Sequence, residues 1–350
     1  MKNRILKILI TICVLTMLLT ACSGAATTAS SWGAATITES RVYYADNGQV
    51  FALKYENGNK AWQPYPEKAV ATRIILAAPV EVGDQLLVGD YSGLLVSLNT
   101  RDGSENWEFS EATSKYIDSP LVVGETILAP NADGTLYALD LEGKKLWSFD
   151  AGHAFWAQPV SDGEVVYAPS LDHYLYAIDI ATGNLKWKTD LVASLVGRAT
   201  LLDGTIYLGN LEGGVFAVDA EKGSILWEQK VSGGVWSAPI YAEDKLYIGD
   251  QGGSISILNA GDGTVDQTID IESPVLGSGA VLAEGILFGN ENGELILIGF
   301  DGSRKWTRSV DGAVYSNLVT DGSMIIVVTN QGEKTLIAMD DQGNEIWYKE

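Results

Sequence analysis

The chain has 350 residues, of which 45 are acidic and 23 basic, and its net charge is −22 at neutral pH. This acidic balance argues against binding to nucleic acid and against adsorption on an anionic membrane surface. Its two cysteines, Cys13 and Cys22, both lie near the amino terminus, so the sequence predicts a body without disulfide bonds.

The amino-terminal segment has the pattern of an export signal. Lys2, Arg4 and Lys7 precede the apolar residues 8–19, a run too short to span a bilayer, and small residues lead to Cys22. Residues 1–21 are therefore predicted to be a signal peptide. The resemblance to bacterial lipoproteins implies that Cys22 becomes the lipidated amino terminus.

The residues that follow the predicted cleavage site are small and polar. Residues 22–31 are predicted to form the lipidated cysteine and a flexible tether, whose last nine residues would span about 17 Å on average. Ser23 favours an outer-membrane address if the cell has an outer membrane. Removing the signal leaves 20 basic and 45 acidic residues, a net charge of −25.

A short motif recurs along nearly the whole remaining chain. A glycine is followed four residues later by a tryptophan, and upstream stand a small residue and a carboxylate or amide, as in Ala177 and Asp179. The tryptophans are Trp62, Trp107, Trp147, Trp187, Trp227, Trp306 and Trp347. An eighth copy keeps Gly263 but has Gln267 in place of the ring. The steps between these positions are 45, 40, 40, 40, 40, 39 and 41 residues, which indicates a repeat architecture.

Each repeat of about 40 residues contains four short runs rich in Val, Ile, Tyr and Trp, separated by Asp-Gly and Asn-Gly turns. Four strands per repeat predict an all-β, eight-bladed β-propeller of four-stranded antiparallel blades. The predicted blades are residues 32–70, 71–110, 111–150, 151–190, 191–230, 231–270, 271–309 and 310–350. Every blade has its own four predicted strands, so no strand exchange is expected at ring closure, and residues 63–73 form an inserted loop.

The tryptophan is interpreted as a plug between neighbouring blades, with its N–H bonded to a carbonyl of the next blade and the glycine leaving room for the ring. The repeated A-x-D-x-x-x-G-x-x-x-W resembles the tryptophan-docking motif of pyrroloquinoline-quinone-like propellers. With the lipoprotein signal in front, residues 32–350 resemble BamB-like lipoproteins. That resemblance implies a non-enzymatic protein-interaction scaffold of the cell envelope.

An enzymatic function is not predicted. Quinone-dependent dehydrogenases share the docking motif, but the resemblance implies a vicinal cysteine pair and a calcium site, and the mature chain has a single cysteine. His153 and His173 are the only histidines and lack a second ligand at metal spacing. No metal and no cofactor are expected. A carboxylate-pair hydrolase needs no local motif and remains open.

A first candidate binding surface comes from aligning the first strands by an 11-residue spacing. This alignment places Trp32, Ile75, Tyr116, Trp156, Val196, Trp236, Leu276 and Tyr315 at one position of the repeat, and the five aromatic residues are the binding candidates. They would form a collar at one mouth of the central channel, able to take a peptide, a strand or a sugar. Alternatively, these side chains pack between the blades.

A second candidate surface is the connection formed by residues 191–198. In BamB-like proteins a mid-chain loop with Leu and Arg contacts the barrel-assembly subunit, and the resemblance carries this role to Leu195 and Arg198. Ordinary packing between blades, with a solvated arginine, is the alternative.

The sequence therefore predicts a lipid-anchored, extracytoplasmic, monomeric propeller that scaffolds outer-membrane protein assembly, with a barrel-assembly subunit as its partner. Two other functions stay open. One is a cell-surface binder of polysaccharide or peptide, and the other is a quinone-dependent dehydrogenase.

Overall fold

The computed structural model describes residues 34–46, 48–70 and 73–350, which all belong to one compact unit, Ser31–Glu350. The predicted signal peptide, Cys22, the tether and Trp32 lie outside the described residues. Within them the chain forms 31 β-strands arranged in eight antiparallel sheets, which confirms the predicted eight-bladed propeller. No helix able to cross a membrane occurs in these same residues.

The strands follow one another from the centre of the ring to its rim. The first blade holds β1 (Ala35–Ile37), β2 (Arg41–Asp46) and β3 (Gln49–Lys54), and the second holds β4 (Val80–Val82), β5 (Gln85–Gly89), β6 (Leu95–Asn99) and β7 (Glu105–Phe109). The third holds β8 (Leu121–Val123), β9 (Thr126–Pro130), β10 (Thr135–Leu139) and β11 (Lys145–Asp150), and the fourth holds β12 (Val160–Ser161), β13 (Val165–Pro169), β14 (Tyr174–Asp179) and β15 (Leu185–Asp190).

The second half of the ring repeats this order. The fifth blade holds β16 (Thr200–Leu202), β17 (Thr205–Gly209), β18 (Gly214–Asp219) and β19 (Ile225–Lys230), and the sixth holds β20 (Ile240–Ala242), β21 (Lys245–Gly249), β22 (Ser254–Asn259) and β23 (Val265–Asp270). The seventh holds β24 (Ala280–Leu282), β25 (Gly285–Gly289), β26 (Glu294–Gly299) and β27 (Arg304–Ser309), and the eighth holds β28 (Val319–Thr320), β29 (Ile325–Val328), β30 (Leu336–Met339) and β31 (Glu345–Lys349). Every strand falls inside its predicted blade.

The first blade departs from the predicted four strands. Its ladder has three strands, and the fourth position holds two isolated bridges, Leu53 to Lys60 and Val50 to Tyr65. Pro64 stands between the two bridges and has no N–H to donate, so a continuous ladder cannot form there. The inserted loop therefore interrupts the outer strand of this blade.

The hydrophobic core lies in the seams between blades. One buried cluster joins Tyr167 and Leu175 of the fourth blade to Leu208 and Phe216 of the fifth. Another joins Tyr44 and Leu53 of the first blade to Ile326 and Leu336 of the eighth, so the ring is closed by packing. Each sheet uses strands that are consecutive in the sequence, and closure occurs without strand exchange, as predicted.

The repeated tryptophans lie over the glycines of the following blade. A Cβ atom on Gly58, Gly103, Gly143, Gly183, Gly223 or Gly263 would lie 2.5–2.7 Å from the ring, and all six have φ between 66° and 79°. These positions therefore need glycine both for the close approach and for the backbone conformation.

Six of the rings also donate their indole N–H to a backbone carbonyl of the next blade. In five of the six seams the acceptor is the residue that follows the recurring carboxylate or amide of the motif, and in the first blade it is Tyr55, which follows Lys54. The bonds are Trp62 to Thr100 (3.3 Å), Trp107 to Leu141 (2.8 Å), Trp147 to Ile180 (2.7 Å), Trp187 to Ala220 (3.1 Å), Trp227 to Ala260 (3.0 Å) and Trp347 to Tyr55 (3.0 Å). Trp306 differs, because only the tip of its ring approaches Gly343 and the Arg308 guanidinium lies 5.3 Å from the ring centroid.

The seam without a tryptophan is filled by smaller groups. The Gln267 side chain approaches Gly302 and donates to its carbonyl at 3.3 Å. The carbonyl of Phe300, which corresponds to the usual indole acceptor, accepts from the Tyr247 hydroxyl at 3.3 Å, a bond that Tyr207 also makes in the preceding seam. The side-chain amide of Gln267 thus stands where the other seams have a tryptophan ring.

Removing one docking ring should destabilise the fold. We expect Trp187→Ala to lower the free energy of unfolding by about 3 kcal/mol, because a partly buried ring and its hydrogen bond are lost. Urea denaturation measures the change. Leu185→Ala is the matched control, since Leu185 lies on the same strand but is 44 % exposed. Equal stability losses in the two variants would contradict the docking role.

Restoring the missing ring should stabilise the fold. We expect Gln267→Trp to raise the free energy of unfolding by about 1 kcal/mol, because the ring would cover Gly302 and reach the carbonyl of Phe300. In the preceding seam the Ala260 carbonyl already accepts both Trp227 and the Tyr207 hydroxyl, so one carbonyl can serve both donors. Thermal denaturation beside Gln267→Ala would show the gain. A loss in the Trp variant would mean that the seam is already closely packed.

Candidate functional site

The candidate site is built from seven short connections, called here the mouth loops, which run directly into the innermost strands of the second to eighth blades. They are residues 75–79, 116–120, 155–159, 195–199, 235–239, 275–279 and 314–318. Because every innermost strand lines the central channel, these loops surround one of its mouths.

The first residue of each mouth loop has a buried side chain. In six of the seven loops its N–H also donates to the backbone carbonyl of the first residue of the turn between the second and third strands of the preceding blade. The bonds are Tyr116 to Asp90 (3.0 Å), Phe155 to Asn131 (3.1 Å), Leu195 to Ser170 (3.2 Å), Val235 to Asn210 (3.0 Å), Val275 to Asp250 (3.1 Å) and Val314 to Asn290 (3.0 Å). Six of the mouth loops are therefore fixed to the preceding blade by a backbone hydrogen bond.

The second residue of each mouth loop is partly exposed, and these residues form the collar. They are Leu76, Ile117, Trp156, Val196, Trp236, Leu276 and Tyr315. The predicted candidates Trp156, Trp236 and Tyr315 belong to this set. Trp32 lies 11 residues before Tyr43, at the same sequence spacing, but is outside the described residues.

Tyr116 and Ile75 were aligned one residue too early. Tyr116 is 1 % exposed and packs against Gly89, and Ile75 is fully buried. In an extended segment, neighbouring side chains point to opposite faces. An alignment shifted by one residue therefore selected the side chains that are buried between the blades. Tyr116 is therefore corrected from a collar residue to a buried one, and Ile117 takes its place.

Polar side chains tie adjacent mouth loops together. The Ser119 hydroxyl donates to the carbonyl of Ala78 at 2.8 Å, and the Gln158 amide donates to the carbonyl of Pro120 at 2.8 Å. Further round the ring, the N–H of Ser278 donates to the Asn317 side chain at 2.8 Å. These bonds link three pairs of neighbouring loops.

One ion pair connects loops that are not neighbours. Arg198 of the fifth blade donates its Nε and Nη2 to the two oxygens of Asp118 in the third blade, at 2.8 and 2.5 Å. Asp118 also accepts the N–H of Gln158, in the blade between them, at 2.8 Å. The two side chains are 28 % and 20 % exposed, so the pair lies at the mouth and is partly shielded from solvent. Three blades are joined at this point.

The surroundings of Asp118 keep it charged. Burial disfavours its carboxylate, but the charge and hydrogen bonds of Arg198 and the N–H groups of Gln158 and Ser119 outweigh burial, so the pKa of Asp118 lies below its ordinary value. The pKa of Arg198 is likewise raised, because Asp118 more than offsets the desolvation of the guanidinium.

The second predicted surface is corrected by these contacts. Leu195 is fully buried in the seam between the fourth and fifth blades, so it is not an exposed anchor. Arg198 is not a solvated side chain either, because Asp118 holds its guanidinium through two bonds. From this loop, Val196 is the apolar residue that reaches the collar. Sequence reasoning missed Asp118, whose partner lies 80 residues away.

The residues at the mouth do not fit a quinone cofactor. Both cysteines precede the described residues, and the acidic side chain among the mouth loops is already paired with Arg198. Residues 34–46, 48–70 and 73–350 contain no group of three His, Cys, Asp or Glu side chains arranged to hold a metal ion. The arrangement instead offers apolar and aromatic side chains on a rigid backbone, which suits recognition of another molecule.

The Asp118–Arg198 pair should stabilise the fold in a pH-dependent way. We expect Asp118→Asn to lower the free energy of unfolding by about 1 to 2 kcal/mol at pH 7. Because the pKa of Asp118 is lowered in the folded state, this contribution is present above the unfolded pKa of about 3.9 and disappears as pH falls through the folded value. Urea titrations at pH 7 and pH 3 measure the difference, and an undiminished difference at pH 3 would contradict the ion pair.

Comparison with known proteins agrees with this architecture. A family profile described as outer membrane protein assembly factor BamB matches residues 21–119, 47–194, 171–268 and 266–350. The BamB protein of Yersinia pestis is 32 % identical over 99 residues, covering 28 % of this chain and 24 % of that protein. BamB of Xanthomonas campestris pv. campestris is 32 % identical over 106 residues, covering 30 % of this chain and 25 % of that protein. The aligned segments thus span about a quarter of these relatives.

Solved structures share the fold. The crystal structure of BamB from Moraxella catarrhalis superposes with a TM-score of 0.75 at 18 % identity, covering 87 % of this chain and 92 % of that one. The computationally designed Ika8 protein superposes with a TM-score of 0.73 at 14 % identity, covering 91 % and 98 % of the two chains. Because the family profile matches segments along nearly the whole sequence, the chain belongs to the outer membrane protein assembly factor BamB family.

Proposed function

We propose that this protein is a lipid-anchored, extracytoplasmic scaffold in outer-membrane protein assembly, that it is not an enzyme, and that its collar contacts a partner polypeptide. The observation that carries the proposal is the match of the BamB family profile along the chain, combined with a partly exposed apolar collar at the mouth of the ring. The proposed partner is a subunit of a barrel-assembly machinery.

The construction of the mouth supports this role. The first residue of each mouth loop is buried, and in six of the seven loops it is hydrogen-bonded to the preceding blade, so the collar side chains project from a backbone that is already ordered. A partner that binds such a surface does not have to order the loops first, and this lowers the entropic cost of association. Trp156, Trp236 and Tyr315 are of the residue types that dominate binding energy at interfaces.

Each part of the chain has a separate role in this function. Residues 1–21 direct export, residues 22–31 carry the lipid on Cys22 and act as a tether, and residues 32–350 form the monomeric propeller. A net charge of −25 after removal of the signal keeps the body from adsorbing to anionic lipid, so the lipid rather than the protein surface supplies attachment.

A second candidate function is binding of polysaccharide or peptide at the cell surface. The observation that favours it is the aromatic character of the collar at Trp156, Trp236 and Tyr315, since aromatic rings stack on sugars as readily as they pack on protein. Capture of glycan at the collar would support this alternative.

Photo-crosslinking in the native membrane tests the proposal. A benzophenone amino acid at Trp236 should capture a barrel-assembly subunit, whereas the same group at Leu226 should not, because Leu226 is 54 % exposed on the rim strand β19, away from the mouth. Mass spectrometry identifies the captured chain. Capture of glycan at Trp236, or equal capture of the subunit at both positions, would overturn the proposed site.

A further inference from the structure

We propose that the polypeptide segment bound by the collar is cationic, with apolar or aromatic side chains on the collar and lysine or arginine side chains on the carboxylates of the sixth to eighth blades. This inference rests on the proposed function, in which the collar contacts a polypeptide, and it specifies the chemistry of that polypeptide. The reasons are the apolar surface of two adjacent mouth loops, the carboxylates that border it, and the lack of compensating cations.

Two adjacent mouth loops supply the apolar part of this surface. Leu276 and Tyr315 have the same position in the loops that enter the seventh and eighth blades, and both side chains are partly exposed. The two loops are in contact one residue further along, where a Cβ atom on Gly277 would lie 2.1 Å from the carbonyl oxygen of Ser316. Glycine permits this approach, so Leu276 and Tyr315 stand on neighbouring backbones.

Exposed carboxylates border these two loops. The N–H of Glu291 donates to the carbonyl of Pro274 at 3.0 Å, and the N–H of Val314 donates to the carbonyl of Asn290 at 3.0 Å. The Tyr315 hydroxyl donates to Glu291 Oε1 at 3.0 Å, which joins the aromatic and acidic parts. We call Leu276, Tyr315 and the surrounding exposed carboxylates the acidic sector. These carboxylates belong to Asp270, Glu272, Glu291, Asp311 and Glu333.

The acidic sector has no cation of its own within the described part of the chain. Its segments, residues 270–279, 290–294, 309–318 and 330–333, contain no lysine, arginine or histidine. Among the described residues, none of its five exposed carboxylates forms an ion pair. Lys334 follows directly in the sequence but pairs with Glu345 of the rim strand β31. A cation brought by a partner would therefore relieve the mutual repulsion of these carboxylates.

The remainder of the mouth is different, because its acidic side chains have basic partners. Arg73 pairs with Asp90 at 2.9 Å, and Arg198 pairs with Asp118. These carboxylates are already neutralised within the protein. The uncompensated negative charge beside the collar therefore belongs to the acidic sector.

Carboxylates alone do not define a binding surface here, since the opposite face of the ring carries them too. Asp203, Asp244 and Glu284 are exposed examples in the turns between first and second strands. The acidic sector adds a partly exposed apolar and aromatic surface that contacts its carboxylates. Aromatic side chains supply much of the binding energy at interfaces, and opposite charges supply specificity and rapid association. This combination suits a segment that carries both kinds of group.

The charge also discriminates between occupants. A neutral glycan would gain no ion pair from the carboxylates. An acidic polypeptide, or a second copy of this chain with its net charge of −22, would be repelled. A free cation would leave Leu276 and Tyr315 uncovered. The occupant that satisfies both parts of the surface is a polypeptide segment with apolar side chains next to lysine or arginine.

Peptide binding to the full-length protein in a non-ionic detergent tests this inference. The probe is a short fluorescein-labelled peptide with tryptophan and leucine at its centre and lysines at both ends. One matched peptide has glutamates in place of the lysines, and another has serines in place of the apolar centre. Fluorescence anisotropy measures the Kd of each peptide.

Two variants with equal changes in charge locate the binding. Each replaces three exposed carboxylates by amides of the same shape, so the general attraction between an acidic protein and a cationic peptide falls equally in both. The mouth variant combines Glu272→Gln, Glu291→Gln and Asp311→Asn. The control variant on the opposite face combines Asp203→Asn, Asp244→Asn and Glu284→Gln. Urea denaturation confirms that both variants are folded.

The lysine peptide is expected to bind, and the mouth variant should raise its Kd at least about tenfold while the control variant raises it at most about twofold. The glutamate and serine peptides should bind more weakly than the lysine peptide. Absence of binding by the lysine peptide, equal effects of the two variants, or equal binding of either matched peptide would overturn the inference.

The outcome is separable from that of the crosslinking experiment at Trp236. Capture of a barrel-assembly subunit at Trp236 together with failure of the lysine peptide would contradict the cationic partner and leave the proposed function intact. Binding of the lysine peptide to the mouth without capture of the subunit would support the acidic sector and count against the proposed function.

Discussion

The packing of a tryptophan ring on a glycine of the next blade is the interaction on which the rest of the structure depends. At Trp187 the ring covers Gly223 and its N–H bonds to Ala220, so one side chain fixes both the distance and the rotation between two sheets. Blades that are joined in this way can close a ring without exchanging strands. At the closure, the Trp347 indole N–H of the eighth blade donates to the carbonyl of Tyr55 of the first. The acidic, cysteine-poor body is stabilised by these seams and by their buried clusters.

The seams also determine the geometry of the mouth. Each mouth loop begins with a buried residue, and in six of the seven loops the N–H of that residue bonds to the preceding blade, so the blades fix the positions of the collar side chains. The Asp118–Arg198 pair adds a connection across an intervening blade. The collar side chains are therefore placed by the fold, and a partner encounters a surface that is already formed.

Much of the fold was predictable because the determinants repeat at a fixed period. Blade limits followed from the spacing of Gly and Trp, and the Gln267 seam could be located in advance. The collar was only partly predictable, because plug and collar residues are adjacent and both are apolar. Tyr116 was assigned to the wrong face for this reason. The Asp118–Arg198 pair could not be found, since its members belong to non-neighbouring repeats and no local pattern links them.

The central claim is that the mouth is a preformed surface held by the seams, and native-state hydrogen exchange tests it most directly. The amides of Phe155, Leu195, Val235 and Val275 are hydrogen-bonded to the preceding blade. We expect these amides to exchange as slowly as the amides of the third strands, through global unfolding. Exchange of these four amides within seconds, while the third strands stay protected, would contradict it.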